Sequence, residues 1–395
     1  MGALSGYKEL PKLVGIPYLL ISFFGRLPTG MGTIGILTLV ASETGSVANA
    51  AYCSAAYAIA NGIGNVVIGR LTDTYGQRLP LLAIAPFNIA FLILIVVLAA
   101  GDPSPIALVA NAAAIGITTS PIGPLARVRW YSIASRKQMP AAMSWETVND
   151  EMVFVLGPAA VGIIAASLSA SAPMLLAAVL VLTCVFPFAL SRHSPGPQLK
   201  DSQRPSFAHI VRRVRTPLLA MAFLGMFFGA MQTSVTAFAQ ANGMPGMGGL
   251  IYASLGLSAA ITALIAVGLP ARFTFVSRIF VGGIGMAVGA AACTLATSGL
   301  TLSPLVFLAG LFIGPTGVAI FTLAGMWAPR GGDGVANTVI VSSNVLGTAA
   351  ASALIGRLLE TNTDYGFLAA AACGLALTLV AATTGRRDER AHSAR

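Results

Sequence analysis

The sequence predicts an all-α polytopic membrane protein, with twelve transmembrane helices in two pseudo-symmetric six-helix bundles. Three observations carry this fold class. The 395 residues are 56% hydrophobic and only 9% charged, with a mean hydropathy of +0.83, whereas a water-soluble domain carries about a quarter charged residues. The charge-free runs are long enough to cross a hydrocarbon core, which takes ~20 apolar residues. When the runs are threaded in order, the basic residues collect on one side, as they do on the cytoplasmic side of membrane chains.

The runs give the elements in turn. Span 1 is 13–42, interrupted only by Arg26. It is too long for the apolar core of a signal peptide and other spans follow it, so it is expected to remain as a helix. Spans 2, 3 and 4 are 44–69, 79–101 and 103–126. The next run, 152–191, is 40 residues long and holds two spans, the first reaching back to about Ala141 and the turn falling near 167–173. The run 216–271 folds at 242–249, and 279–329 folds near 297–304. Spans 11 and 12 are 334–356 and 365–385. With the N-terminus inside, 21 of the 23 Lys and Arg residues lie in cytoplasmic segments; Arg26 lies in a span and Arg357 lies toward the outside. Both termini are therefore expected in the cytoplasm, with the chain in the inner or plasma membrane.

The net charge of +10 reflects this topology and anionic lipid. The basic residues are scattered over short segments, which speaks against a nucleic-acid partner. Cys53, Cys184, Cys293 and Cys373 fall in four different spans, so neither a disulfide framework nor a metal cluster is expected. His193, His209 and His392 all lie in cytoplasmic segments.

The long polar stretch 192–215, rich in Pro, Ser and Arg, divides the spans six and six. It sets a first bundle at 1–191, a linker at 192–215, and a second bundle with a short basic tail at 216–395. Weak internal similarity supports duplication. ETVNDEMVFVLGPAA (146–160) in span 5 matches NTVIVSSNVLGTAA (337–350) in span 11, and GRLTDTYGQR after span 2 is echoed by GLPARFTFVSR after span 8, without the aspartate.

The stretch Gly69-x-Leu71-x-Asp73-x-x-Gly76-x-Arg78 is a polar break between two apolar runs. Glycines at 69 and 76 permit tight backbone geometry at a helix end. Asp73 is an anion suited to the positive N-terminus of another helix or to a nearby arginine. The motif resembles the loop 2–3 signature of the major facilitator superfamily, whose twelve spans, six plus six with a basic middle loop, this chain also resembles. Thr74 and Gln77 depart from the pattern, which often has basic residues there. The resemblance implies the major facilitator fold and transport by alternating access. Asp73 and Arg78 are then expected to latch the cytoplasmic side in the outward-open state, with span 11 as partner. The alternative is an ordinary solvated turn with orienting arginines.

Ionisable groups inside spans are costly and by default mark function. Arg26 in span 1 and Glu146, Asp150 and Glu151 in span 5 are the candidates. At ~1.5 Å per residue, Arg26 lies ~20 Å and Asp150 ~13 Å from the inner side, a difference that a long arginine can reach across. Glu146 and Asp150 share one helix face. Three acids facing one guanidinium do not all stay ionised, so one pairs with Arg26 while Asp150 or Glu151 exchanges protons. The alternatives are a static network with Arg26, Arg127 and Arg129 that holds spans 1, 4 and 5 together, or an Arg26 that binds an anionic substrate.

Gly157-Pro158 resembles the Gly-Pro signature that the superfamily's exporters carry in span 5. A mid-span Gly-Pro also removes a backbone hydrogen bond and kinks a helix, and plain packing is the other explanation. TTSPIGP (118–124) breaks span 4. In this architecture substrate sits near the midplane between the halves. The candidate lining residues are Tyr57 and Asn61 in span 2, Gln232 in span 7, and Asn337 and Asn344 in span 11, with interhelical bonding as the alternative role for each.

Apolar walls with a few amides suit an amphipathic organic molecule. The functional expectation is a proton-coupled exporter of a small organic molecule, resembling drug/proton antiporters and sugar-efflux permeases. It needs no cofactor beyond the proton gradient, and such carriers commonly act as monomers. An importing symporter or uniporter is the alternative, and a membrane sensor or scaffold is the alternative of another class. No nucleotide motif, metal cluster or nucleophile signature points to an enzyme.

Overall fold

The computed structural model describes residues 5–101, 104–135, 137–196, 205–243, 247–270, 272–359 and 364–393. Every regular element among them is helical. Twelve helices are long and apolar enough to cross a membrane: α1 Ile16–Thr44, α2 Asn49–Tyr75, α3 Arg78–Ala99, α4 Pro105–Ile133, α5 Met139–Ser167, α6 Ala172–Leu190, α7 Arg215–Ala239, α8 Gly248–Gly268, α9 Phe275–Leu295, α10 Gly299–Trp327, α11 Asp333–Ile355 and α12 Asp364–Thr384. A short helix, Ser5–Val14, precedes α1, and another, Phe207–Arg213, lies between α6 and α7. The end of the molecule that carries the loops after α2, α4, α6, α8 and α10 is the basic end.

Several helices run past the charged residue at which the apolar runs stop. Span 4 was expected to end at Ala126, but α4 continues to Ile133 and carries Arg127 and Arg129 inward, both 0% exposed. Arg26 is therefore not alone within the spans, and these two arginines are not loop residues. Charge-free length marks where a helix leaves lipid, whereas the helix itself ends only where its backbone pairing stops.

Three spans are interrupted, each for a local reason. In α1 the helical segments Ile16–Phe24 and Leu27–Thr44 are separated at Gly25 and Arg26. Pro28 has no N–H to return to Phe24, and the amide of Arg26 instead donates to Phe23 O at 3.1 Å. In α4 the break falls at Thr119–Pro121, within the TTSPIGP stretch. In α10 it falls at Leu311 and Phe312. By contrast, α5 is one unbroken helix through Gly157 and Pro158. The glycine serves packing there: a Cβ at Gly157 would stand 2.6 Å from the carbonyl carbon of Gly30, so its absence lets α5 approach the backbone of α1.

Buried apolar side chains gather in two clusters. One runs from Leu10 through α6, joined by Ala263, Ala266 and Val318; the other runs from Ile210 to Ala381. The halves meet along α2–α11 and α5–α8. Ser342 donates to Gly62 O at 2.8 Å on the first seam, and Val155 packs onto the bare backbone of Gly256 on the second. Small residues at such seams let helices in lipid approach closely. All four cysteines are buried and free. Glu360 lies outside the described residues, and the side chain of Arg357 is not described.

Candidate functional site

The break in α1 places Arg26 beside α5 and α4. Its Nη1 donates to Asp150 Oδ1 at 3.0 Å and to the Glu146 backbone carbonyl at 3.3 Å. Its Nη2 donates to Ser22 Oγ at 3.2 Å and pairs with Glu146 Oε2. The second oxygen of Glu146 accepts from Trp130 Nε1 at 2.7 Å. Asp150 is shared: its Oδ2 accepts from Arg127 Nη2 at 2.6 Å. Two guanidiniums thus face two carboxylates. Buried charges are tolerated only when paired and hydrogen-bonded in this manner. The helical spacing of Glu146 and Asp150 presents both to one side of α5, and the missing side chain at Gly123 leaves room for Asp150 and both arginines.

The cluster touches the second half. The Arg127 guanidinium lies 3.5 Å from the centre of the Phe321 ring on α10. Next to it, Tyr131 donates to Phe321 O at 3.3 Å and approaches Asn337 Oδ1 at 3.4 Å. Within the cluster only Asp150 reaches open space, its side chain 26% exposed against 4%, 1% and 0% for Arg26, Glu146 and Arg127.

Two sequence expectations need correction. Arg129 is not part of this network. It donates from Nε to Gln77 Oε1 at 2.7 Å and stacks on Phe188, because it lies two residues from Arg127 and so points to another side of α4. Glu151 is not paired with Arg26. One residue beyond Asp150 and one turn before Val155, it lies on the face of α5 that packs against Gly256 of α8. Among the described residues it enters no ion pair or hydrogen bond, and it is half-buried.

At the basic end, Asp73 lies across the first turn of α11. Its two oxygens accept the N–H groups of Gly334 at 2.8 Å and Val335 at 2.9 Å. These amides have no partner within their own helix, and the helix dipole favours an anion there. A Cβ at Gly69 would stand 3.0 Å from Gly334 O, so the glycine permits this approach. Gly76 takes φ +77° against the backbone of Pro195 and Gly196, a conformation that L side chains avoid. Arg78, expected to share the latch, is exposed and makes no ion pair among the described residues. Helix α3 begins at Arg78, and the chain has turned away from α11 by then. The loop arginine that does bond is Arg70, whose Nη1 donates to Pro205 O at 3.0 Å.

No side-chain hydrogen bond joins any two of the five cavity candidates. Tyr57 is buried inside the first half, its ring filling the space left by Gly32. Asn61 accepts from Asn65 at 3.3 Å. Asn337 donates to Asp333 O at 2.9 Å. Asn344 approaches Met221 Sδ at 3.5 Å within the α7–α11 packing. Gln232 on α7 is exposed. Trp130 and Tyr131 went unread in the sequence, and Gln77 was read only as a departure from the loop pattern. The available signal for Trp130 was chemical, since a buried indole N–H requires an acceptor.

A membrane-embedded ionic cluster at the seam of two six-helix halves, closed at one end by a helix-capping carboxylate, is the arrangement of a multi-pass secondary transporter rather than an enzyme. The chain belongs to the Major Facilitator Superfamily, whose sequence profile matches residues 18–324. Among solved structures, it is similar to the human organic anion transporter MFSD10 (TETRAN), with 14% identity and TM-score 0.72 over 92% of this chain and 98% of that one. It is also similar to the transporter FucP in the outward conformation, at 14% and 0.67 over 94% and 99%. A bacterial homologue of the iron transporter ferroportin, in the outward-facing state, matches at 16% and 0.68 over 96% and 98%. No curated protein matches the chain significantly in sequence.

Proposed function

We propose that this chain is a proton-coupled transporter that exports a small amphipathic organic molecule by alternating access, with Glu151 as the proton carrier. The observation that carries the proposal is the contrast among the three acids of α5. Glu146 holds Arg26 and Trp130, and Asp150 is shared by two arginines. Glu151 has no such partner among the described residues and stands one turn from Val155 at the α5–α8 seam, where the halves must separate and rejoin during transport. A carboxyl held by guanidiniums gives up its charge only at high cost, whereas a free one in a low-dielectric seam exchanges protons readily. The Gly157-Pro158 pair supports export, and the drug/proton antiporter or sugar-efflux branch is the nearest functional model. The exposed Gln232 and half-buried Met226, Phe228 and Asn344 suit an amphipathic ligand. We place both termini and the basic end in the cytoplasm of a plasma or inner membrane, and take the monomer as the working unit.

Flux of candidate compounds in proteoliposomes, with and without an imposed pH gradient, tests the reading. The expected result is gradient-driven flux in the wild type. Glu151→Gln should lose it and keep substrate-for-substrate exchange. Equal gradient-driven flux in both proteins would remove Glu151 from the mechanism. Substrate moving in the same direction as protons would replace export with symport.

A further inference from the structure

We infer that the N-terminal surface helix Ser5–Val14 is a working part of the basic-end gate, closing the α5–α8 seam through the hydroxyl of Tyr7. The helix is fastened to the first half. Leu10 and Val14 are buried in that half's core, and Glu9 Oε2 accepts from Gln138 Nε2 at 2.8 Å just ahead of α5. From this anchor Tyr7 reaches into the second half, donating to Leu264 O near the C-terminus of α8 at 2.7 Å. Its oxygen also lies 2.6 Å from Ser144 Oγ on α5, and Ser144 bonds to Ala263 O. Two hydroxyl protons serve these three contacts, so two are filled at any moment and the cluster acts as one unit. Burial holds the Tyr7 phenol above its ordinary pKa, against the opposing effect of the Ser144 bond, and keeps its donor proton in place.

The chemistry fits the helix end it meets. Carbonyls in the last turn of a helix lack partners within the helix, and the C-terminus attracts donors. The α-helical part of α8 ends at Ile265, and Arg278 supplies the following carbonyls, donating to Ala266 O at 3.5 Å and Leu269 O at 3.4 Å. Tyr7 supplies the preceding Leu264 O from the other half of the molecule, and Ser144 adds a second donor to Ala263 O, which the Ala266 N–H also reaches.

The internal repeat makes the device intelligible. The α2–α11 seam is closed by Asp73, an acid on the end of one helix capping the start of another. The repeat-related α8–α5 seam has no acid in its loop, GLPARFTFVSR. There the polarity is reversed: donors near the start of α5 and on the added N-terminal helix cap the end of α8. Each seam thus has its own fastening, of opposite sign, and both come undone when the basic end opens.

Spin labels at Lys137→Cys and Arg272→Cys, both exposed, in a background lacking the four native cysteines, report the separation of the two halves at the basic end. The purified full chain is measured in lipid without substrate or pH gradient, so the outcome is independent of the transport reading. One neutral hydrogen bond sets the ratio of closed to open protein by about 2- to 12-fold. Tyr7→Phe and Ser144→Ala are each expected to raise the open population by that factor, at unchanged yield of monodisperse protein. Asp73→Asn serves as the comparison on the other seam. Wild-type distance distributions in both hydroxyl variants, with a shift in Asp73→Asn, would overturn the inference. So would a shift on deleting residues 1–14 that Tyr7→Phe and Ser144→Ala both fail to reproduce.

Discussion

Gln77 and Arg129 meet inside the first half, the glutamine Oε1 accepting from the arginine Nε at 2.7 Å while its Nε2 donates to Leu125 O at 3.0 Å. Both residues are buried. The guanidinium lies 3.5 Å from the centre of the Phe188 ring and 5.7 Å from that of Tyr18. A carboxamide and two aromatic faces, rather than a carboxylate, hold this charge within the protein. The pair ties the loop after α2 to α4, so the position that departs from the superfamily's loop pattern is built into this chain's core.

Replacing Gln77 tests that arrangement. Gln77→Ala leaves a buried guanidinium without its acceptor, at a cost of about 1.5–3 kcal/mol. Gln77→Arg restores the residue type common in the superfamily, yet sets a second guanidinium against Arg129. It is expected to destabilise more than Gln77→Ala. Thermal unfolding in detergent should rank wild type above Gln77→Ala and Gln77→Arg lowest; a Gln77→Arg variant more stable than Gln77→Ala would show that Arg129 is not held as described.

Asp73→Asn keeps the shape of the latch but loses its charge and replaces one acceptor oxygen with a donor that faces an N–H. The loss is about 1–2 kcal/mol, a ~5- to 30-fold change in the closed-to-open ratio. Gly69→Ala should act in the same direction by pushing α2 off Gly334 O. Labelling rates of cysteines introduced deep on the basic-end side of α11 should rise in both variants. An unchanged rate in Asp73→Asn would reduce the contact to a bystander.

The fold was legible because lipid imposes a coarse rule: apolar length gives the spans, and arginine asymmetry orders them. The ionic cluster was legible in part of its membership but not in its wiring. Arg26, Glu146 and Asp150 were found because charge in hydrocarbon demands a partner. Arg127 and Arg129 were placed in a loop because a run of uncharged residues ends at Ala126, although the helix does not. Which acid stays free depends on rotation about the α5 axis. One residue separates Asp150 from Glu151 and turns the second toward α8, and only the packed neighbours reveal that the first faces the arginines. The cavity residues were chosen for polarity alone, and polar groups inside a bundle mostly bond one another.

His193 gives a pH dependence outside the spans. It packs edge-on to the Tyr18 ring at 5.5 Å. Burial first, then the charges of Arg192 and Arg129, hold its pKa below the ordinary 6.5 against a bond with Val14. The folded state therefore binds protons less readily than the unfolded chain. Its contribution to stability is complete above pH 6.5 and is lost as pH falls through the lowered folded value. The ring is partly exposed, so the effect is small. Unfolding midpoints between pH 5 and pH 7 should fall on the acid side in the wild type, with a shallower slope in His193→Asn. An equal slope would assign the dependence to other groups.

The three acids of α5 should separate by variant. Glu146→Gln uncouples Arg26 from its closest carboxylate and leaves a guanidinium in a place that is 3% exposed. Breaking one partner from a buried pair costs about 3–5 kcal/mol, enough to lower the yield of folded protein. Trp130→Phe removes the 2.7 Å bond to Glu146 Oε1 and also part of the volume of a fully buried indole, so it adds a packing loss to that of the bond. Asp150→Asn retains oxygen and nitrogen at the same points but leaves Arg26 and Arg127 with one anion between them. It should cost less than Glu146→Gln, because the Asp150 side chain reaches open space and water can take part of the load. Glu151→Gln removes no partner from any described residue and should melt within about 0.5 kcal/mol of wild type. The order of thermal stability among the acid variants is therefore Glu151→Gln, Asp150→Asn and Glu146→Gln, from most to least stable. A Glu151→Gln protein as unstable as Glu146→Gln would mean that the third carboxyl of α5 is also locked, and the free carboxyl on which proton exchange depends would not exist.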